Sequence, residues 1–318
     1  MIAPLATLAF FAVTPVFATR AARLLGSLRA NFGRLLVALV ALGAWAHLFG
    51  QGLEGAALPW FVAGGVIGFG VGGIAMFQSL PRIGSTLSTL IVQCLSAVTA
   101  VVVEWMWLGT TLTPLQLTCA ATTLAGVVLG LAPRSLARPN PAEWRAGVAW
   151  AILSALGQGV GAVISRKAFL VTALARDPID PGTATYQRVL GGIFIAGLVL
   201  VFCRKDATRA APRDLFRNET KTGLPPDIAG GTPALPGAWT RAWWWVAANA
   251  ATGPILGVTC YQWALRSTPA GIVQPIVAAA PLLTIPLAAW LEGTRPRGTY
   301  YIGAVLAVAG VSGLMVSR

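Results

Sequence analysis

Chemistry on a substrate usually needs clustered acids, bases or nucleophiles, and this sequence is poor in them. It has one histidine, His47, and ten acidic residues, with no aspartate inside any long apolar stretch. Its four cysteines, Cys94, Cys119, Cys203 and Cys260, show no CxxC or CxxH spacing and read as small packing residues. No metal site or cofactor is expected. Glu104 and Glu292 end apolar stretches close to short loops, where capping or tethering suits them better than proton transfer. His47 suits interfacial packing. A catalytic role is therefore not expected.

The sequence does offer isolated polar groups in apolar surroundings, which points to binding. Polar groups in a bilayer are costly and usually face a bundle interior or a water-filled path. The candidates to line such a path are Arg20, Arg34, Gln158, Arg166, Tyr186, Arg188, Asn249, Gln262 and Gln274. An arginine can hold a carboxylate bidentately. Amides such as Gln158 and Gln262 can act as donor and acceptor towards a small polar solute. Glycines flank both (Gly157, Gly159 and Gly161; Gly253 and Gly257), leaving room beside them. The packing reading stays open for each: arginines at helix ends snorkel, and Gln or Asn often bridges helices. Gln78 and Gln93 fit that second reading better.

The elements that must position these residues follow from where charge is missing. Of 318 residues, 56% are hydrophobic, and Lys and Arg number 23 against 10 Asp and Glu. The charges are excluded from ten long stretches: 2–19, 35–53, 55–81, 83–103, 105–133, 146–165, 189–203, 242–265, 267–291 and 298–317. A soluble domain is about 25% charged, whereas a bilayer crossing needs about 20 apolar residues. In lipid only helices satisfy their own backbone within one segment. The expectation is an all-α integral membrane protein with helices at 2–19, 31–49, 59–80, 84–105, 114–132, 146–166, 184–203, 241–264, 270–291 and 298–316. The net charge of +13 then reflects loop residues and anionic headgroups, with no nucleic-acid partner. The tryptophans 243–245 mark an interface belt. Gly64, Gly68 and Gly72, with Gly157 and Gly161, provide close helix approach. Pro275, Pro281 and Pro286 each remove a helical hydrogen bond and make the ninth helix a candidate hinge for gating.

Pairing the stretches exposes a repeat. Val16-Phe17-Ala18-Thr19-Arg20 after the first helix matches Ala162-Val163-Ile164-Ser165-Arg166 after the sixth. Phe32-Gly33-Arg34 matches Tyr186-Gln187-Arg188, Phe77-Gln78 matches Tyr261-Gln262, and Val103-Glu104 matches Leu291-Glu292. The order is the same in both halves, which divides the chain into 1–133, a linker 134–145 and 146–318, the last carrying a polar loop at 204–240. Five helices per half is odd, so the halves insert in opposite senses: ten transmembrane helices as two inverted five-helix repeats. That arrangement is associated with alternating access in carriers.

These residues resemble the drug/metabolite transporter superfamily, EamA type. The likeness is carried by Tyr261-Gln262-Trp263-Ala264-Leu265, Thr268-Pro269-Ala270, the proline-containing ninth helix, Trp290-Leu291-Glu292-Gly293, Ile302-Gly303-Ala304 and Ala309-Gly310-Val311. Arg34 and Arg188, and the basic residues closing the first and sixth helices, fit it too. It covers essentially the whole chain and is stronger in the second half; Leu80-Pro81-Arg82-Ile83-Gly84 departs from it. The resemblance implies both termini in the cytoplasm, whereas Lys and Arg are concentrated in odd-numbered loops, which argues for the reverse. The function expected is secondary transport of a small polar metabolite by alternating access in the cell membrane, as monomer or homodimer. Lipids are the surrounding partners, and proton coupling and exchange both stay open. The rival classes are an integral membrane enzyme on lipid-linked substrates and a non-transporting membrane partner protein.

Overall fold

A computed structural model describes residues 2–131, 141–209, 238–283 and 298–317. The described residues are helical, with no strand among them. Helix α1 (Ile2–Leu25) meets α2 (Ser27–Phe49) at Gly26, whose φ of 80° no β-carbon tolerates easily. Helix α3 (Leu58–Gly65) widens into a π-helical stretch, Val66–Val71, and continues as α4 (Gly72–Leu108). Next come α5 (Pro114–Leu131), α6 (Pro141–Leu174) and α7 (Pro181–Arg209). Helix α8 (Ala238–Ala250) also passes through a π-helical stretch, Ala251–Gly257, into α9 (Val258–Ser267). Helices α10 (Ala270–Ala278) and α11 (Gly298–Val316) complete the described chain.

Seven segments among the described residues are long and apolar enough to cross a membrane: 28–49, 58–79, 87–108, 114–131, 141–174, 181–202 and 298–316. Segments 2–18 and 270–283 are apolar but shorter. Large side chains such as Val40, Leu48, Phe194, Val201, Val305 and Val308 are exposed on the outside, as lipid contact requires.

Several boundaries differ from expectation for identifiable reasons. Helix α6 begins at Pro141 and α7 at Pro181, because proline suits the first helical turn, where its missing N–H has no partner to lose. The presumed linker therefore ends in helix. Helix α7 likewise runs on to Arg209, into the stretch expected as polar loop. The third and fourth expected spans are joined without a loop. They still form a hairpin: a β-carbon on Gly157 would lie 3.0 Å from Gly72, and one on Gly159 would lie 2.7 Å from Ser96. Straight helix would put Gly72 and Ser96 about 36 Å apart. The run therefore folds back near Arg82, which pairs with Glu143 at 3.1 Å beside the start of α6.

Packing links the two ends of the chain. Helix α1 lies on α8 and α9, while α6 lies on α3 and α4. Helix α2 packs on α7 and α8, and α7 packs on α3. Helix α4 meets α10, and α5 runs along α11. The glycine expectation is realised inside the chain: a β-carbon on Gly161 would lie 3.0 Å from Gly68 Cα, so α6 and the π stretch touch backbone to backbone. A central core of Phe61, Phe169, Tyr261, Leu265 and Val273 joins α3, α6, α9 and α10.

Candidate functional site

Helix α7 carries a deeply buried arginine, and its N-terminus is firmly anchored. Asp180 caps it, accepting from the backbone N–H of Gly182 (2.9 Å) and Thr183 (3.0 Å), from the Thr183 hydroxyl, and from Trp45 Nε1 (3.0 Å). Partial burial pushes the Asp180 pKa up, and these hydrogen bonds outweigh it, holding the carboxyl below the usual value. One turn further on, Gln187 Nε2 donates to the carbonyls of Gly52 and Glu54, both at 3.1 Å, which fixes the α2–α3 connection. Tyr186 is held edge-on to His47, with its hydroxyl 3.3 Å from Nε2.

Arg188 follows on the same helix and is 4% exposed. Its Nε and Nη1 have no hydrogen-bond partner. One face of its guanidinium lies 5.1 Å from the ring centre of Phe69, in the first π-helical stretch. Gly68 leaves the space for it: a β-carbon there would sit 2.9 Å from Arg188 Nη2. Tyr261 of α9 is near enough to interact electrostatically with Arg188, and its hydroxyl is buried without a partner. The next residue, Gln262, is 0% exposed, with neither amide atom paired. Helix α9 is tied to α7 nearby, where Thr259 donates to Thr185.

A second polar group forms around Arg34. Its Nε donates to Asn31 Oδ1 at 2.9 Å. A β-carbon on Gly253, in the second π-helical stretch, would lie 3.7 Å from both Arg34 Nη1 and Asn249 Oδ1. Asn249 is buried, with that oxygen unpaired. Each arginine of a second or seventh span thus faces the π-helical stretch of the opposite end of the chain. In such a stretch the backbone ladder is locally widened, a feature frequent at functional sites. Pro254, which has no N–H, contributes to the second one.

The other candidates lie elsewhere. Arg166 donates from Nη1 to the carbonyls of Leu265 (2.9 Å) and Arg266 (2.8 Å), capping the end of α9. Glu104 accepts from the backbone N–H of Ala270 (3.0 Å) and Gly271 (2.7 Å), capping the start of α10. The α9–α10 turn is so held from α6 on one side and α4 on the other, each charge complementing a helix dipole. Arg20 is exposed over the Trp245 ring, 5.0 Å from its centre. Gln158 donates to Ser154 at 3.1 Å, and Gln274 is buried on α10. Helix α10 is interrupted at Ala279, between Pro275 and Pro281, and resumes over 280–283. Pro286 and Glu292 lie outside the described residues, as do 132–140 and 210–237. Tyr261 and Phe69 were not among the expected site residues; the signal for Tyr261 was its place beside Gln262 in the repeat. Among the described residues no group of three His, Cys, Asp or Glu could hold a metal.

The sequence matches the EamA-like transporter family over residues 1–131 and 228–316. No curated protein sequence matches it significantly. A crystal structure of a protein with 18% identity superimposes with a TM-score of 0.69, covering 98% of this chain and 94% of the other. At that identity the likeness speaks for the fold alone.

Proposed function

The chain belongs to the EamA-like transporter family, and we propose that it carries a small polar metabolite by alternating access. It is a multi-pass membrane protein of the drug/metabolite transporter superfamily, a family of transporters rather than enzymes. The reading beyond the family is two inverted five-helix halves, 1–133 and 146–318, in the cell membrane, closing in turn on one site between them. One observation supports it: Arg188 is buried against Phe69 with two unpaired nitrogens, and Tyr261, which interacts with it electrostatically, and the next residue Gln262 also carry buried unpaired polar atoms. Such atoms are costly in a bilayer unless a solute or water meets them.

The packing pattern supports the repeat. Exchanging the halves maps α1 on α8 and α9 to α6 on α3 and α4, and α2 on α8 to α7 on α3. Arg34 and Arg188 exchange as well, each with its π-helical stretch. In this reading Gln262 and Arg188 hold the solute, with Tyr261 beside them. Arg34 with Asn249 forms the matching group that faces the other half, and the broken α10 around Pro275 and Pro281 moves as the halves rock.

The test is a metabolite-exchange screen in proteoliposomes at two pH values. Arg188→Ala or Gln262→Ala is expected to cut flux at unchanged protein level. Unaltered flux in both variants removes these residues from the site.

A further inference from the structure

We propose that the transported solute carries a net negative charge: a small carboxylate or phosphate ester without a balancing ammonium, its anionic group seated on Arg188. This rests on the transporter reading and names the class of substrate for that site. A guanidinium stays protonated when buried. An unpaired buried charge is strongly destabilising, and more so within a bilayer. Arg188 is 4% exposed with two nitrogens unpartnered, so the charge calls for a counter-ion.

No carboxylate among the described side chains pairs with Arg188. Glu104 is occupied by the amides of Ala270 and Gly271, and Glu143 pairs with Arg82. Asp180 caps α7, Asp177 accepts from Ala56 N–H, and Glu54 lies in the α2–α3 connection, before α3 begins. The neighbours leave Nε and Nη1 without a hydrogen-bond partner. Phe69 covers a face and uses no N–H, and Gly68, lacking a side chain, makes room for Nη2. Bidentate N–H donation to a carboxylate or phosphate is what such a group does best.

The neighbours decide between an anion and a zwitterion. The Tyr261 hydroxyl and the Gln262 amide are unpaired and can donate to the anion or to hydroxyls on the solute. A bound ammonium would need a free carboxylate, and Glu104, the described carboxylate that interacts electrostatically with Tyr261, is already committed to the amides of Ala270 and Gly271. The site therefore favours lactate over alanine, although both have the same carboxylate and a similar size.

The experiment uses full-length protein in phosphatidylcholine vesicles and matched radiolabelled pairs: lactate with alanine, and glycerol 3-phosphate with glycerol. The expected result is exchange of at least one anion at tenfold or more the rate of its partner; which pair responds separates carboxylate from phosphate. Arg188→Gln is expected to lower that exchange at least tenfold, and Arg188→Lys to retain part of it. If Arg188→Gln does not fold, the wild-type ratios and Arg188→Lys decide. Alanine or glycerol exchanging as fast as its anionic partner overturns the anion proposal and leaves the transporter reading standing. Full anion exchange in Arg188→Gln also overturns it. Absence of exchange for every probe and for the wider metabolite screen overturns both.

Discussion

Arg188 and Arg34, which the proposed repeat pairs, have surroundings that differ in one decisive way. Arg34 is half-buried and already donates to Asn31 three residues earlier on its own helix. Arg188 is deeper and has Gln187 as its chain neighbour, whose amide is committed to the α2–α3 connection. Beside Arg188 the π-helical stretch places an aromatic ring and a glycine; beside Arg34 it places Gly253 near Asn249. Of the two positions, one has a partner on its own helix and the other keeps two unpaired nitrogens. A binding group is marked by what it leaves unsatisfied more than by the residue type.

The comparison breaks most readily at the arginines. Removing a charge-assisted hydrogen bond costs about 1.5–3 kcal/mol. Arg188→Ala should therefore lower solute affinity roughly ten- to a hundredfold, while Arg34→Ala changes it less than threefold. Equal losses in both variants, measured by exchange at several solute concentrations, would dissolve the distinction. The glycines give a finer contrast. Gly68→Ala brings a β-carbon to 2.9 Å from Arg188 Nη2 and should cost roughly tenfold in affinity. Gly253→Ala meets Thr14 at 3.2 Å and Arg34 only at 3.7 Å, so it should stay near wild type in the same assay.

Smaller effects concern the supports. Glu104→Gln keeps one acceptor where two backbone donors converge, and should lower stability by about 1–3 kcal/mol, read as thermal unfolding in detergent. An unchanged unfolding midpoint would mean that the α9–α10 turn does not depend on that carboxylate. Asp180 acts outside the bilayer and through pH. Its folded pKa is depressed, so its contribution is complete above the unfolded value near 3.9 and is lost as pH falls through the lower folded value. Asp180→Asn should be less stable than wild type at pH 6, and the gap should close as pH drops below about 4. A gap independent of pH would assign the effect to shape instead of charge.

Seven of the ten expected spans match described segments long and apolar enough to cross a membrane, legible because charge is excluded from bilayer-length stretches, and the glycine spacing at 64, 68 and 72 announced a close helix approach. The proline content of the ninth helix anticipated its interruption at Ala279. The π-helical stretches were not legible, since Val-Ile-Gly-Phe-Gly-Val reads as ordinary apolar helix until it meets Arg188. The fused third and fourth spans escaped notice because Pro81 removes only one donor and the hairpin depends on α6 lying against both limbs. Of the site, the arginines and Gln262 could be placed as intramembrane polar groups. Nothing local told Arg166, which binds carbonyls of α9, apart from Arg188, which binds none. That difference is set by helices distant in sequence.

The claim that Arg188 anchors the solute is tested most directly by equilibrium binding to purified protein, outside the transport cycle. The solute that exchanges best in vesicles would be titrated against wild type, Arg188→Ala and Arg34→Ala. The account predicts binding weakened at least tenfold in Arg188→Ala and less than threefold in Arg34→Ala. Wild-type affinity in a folded Arg188→Ala protein would contradict it.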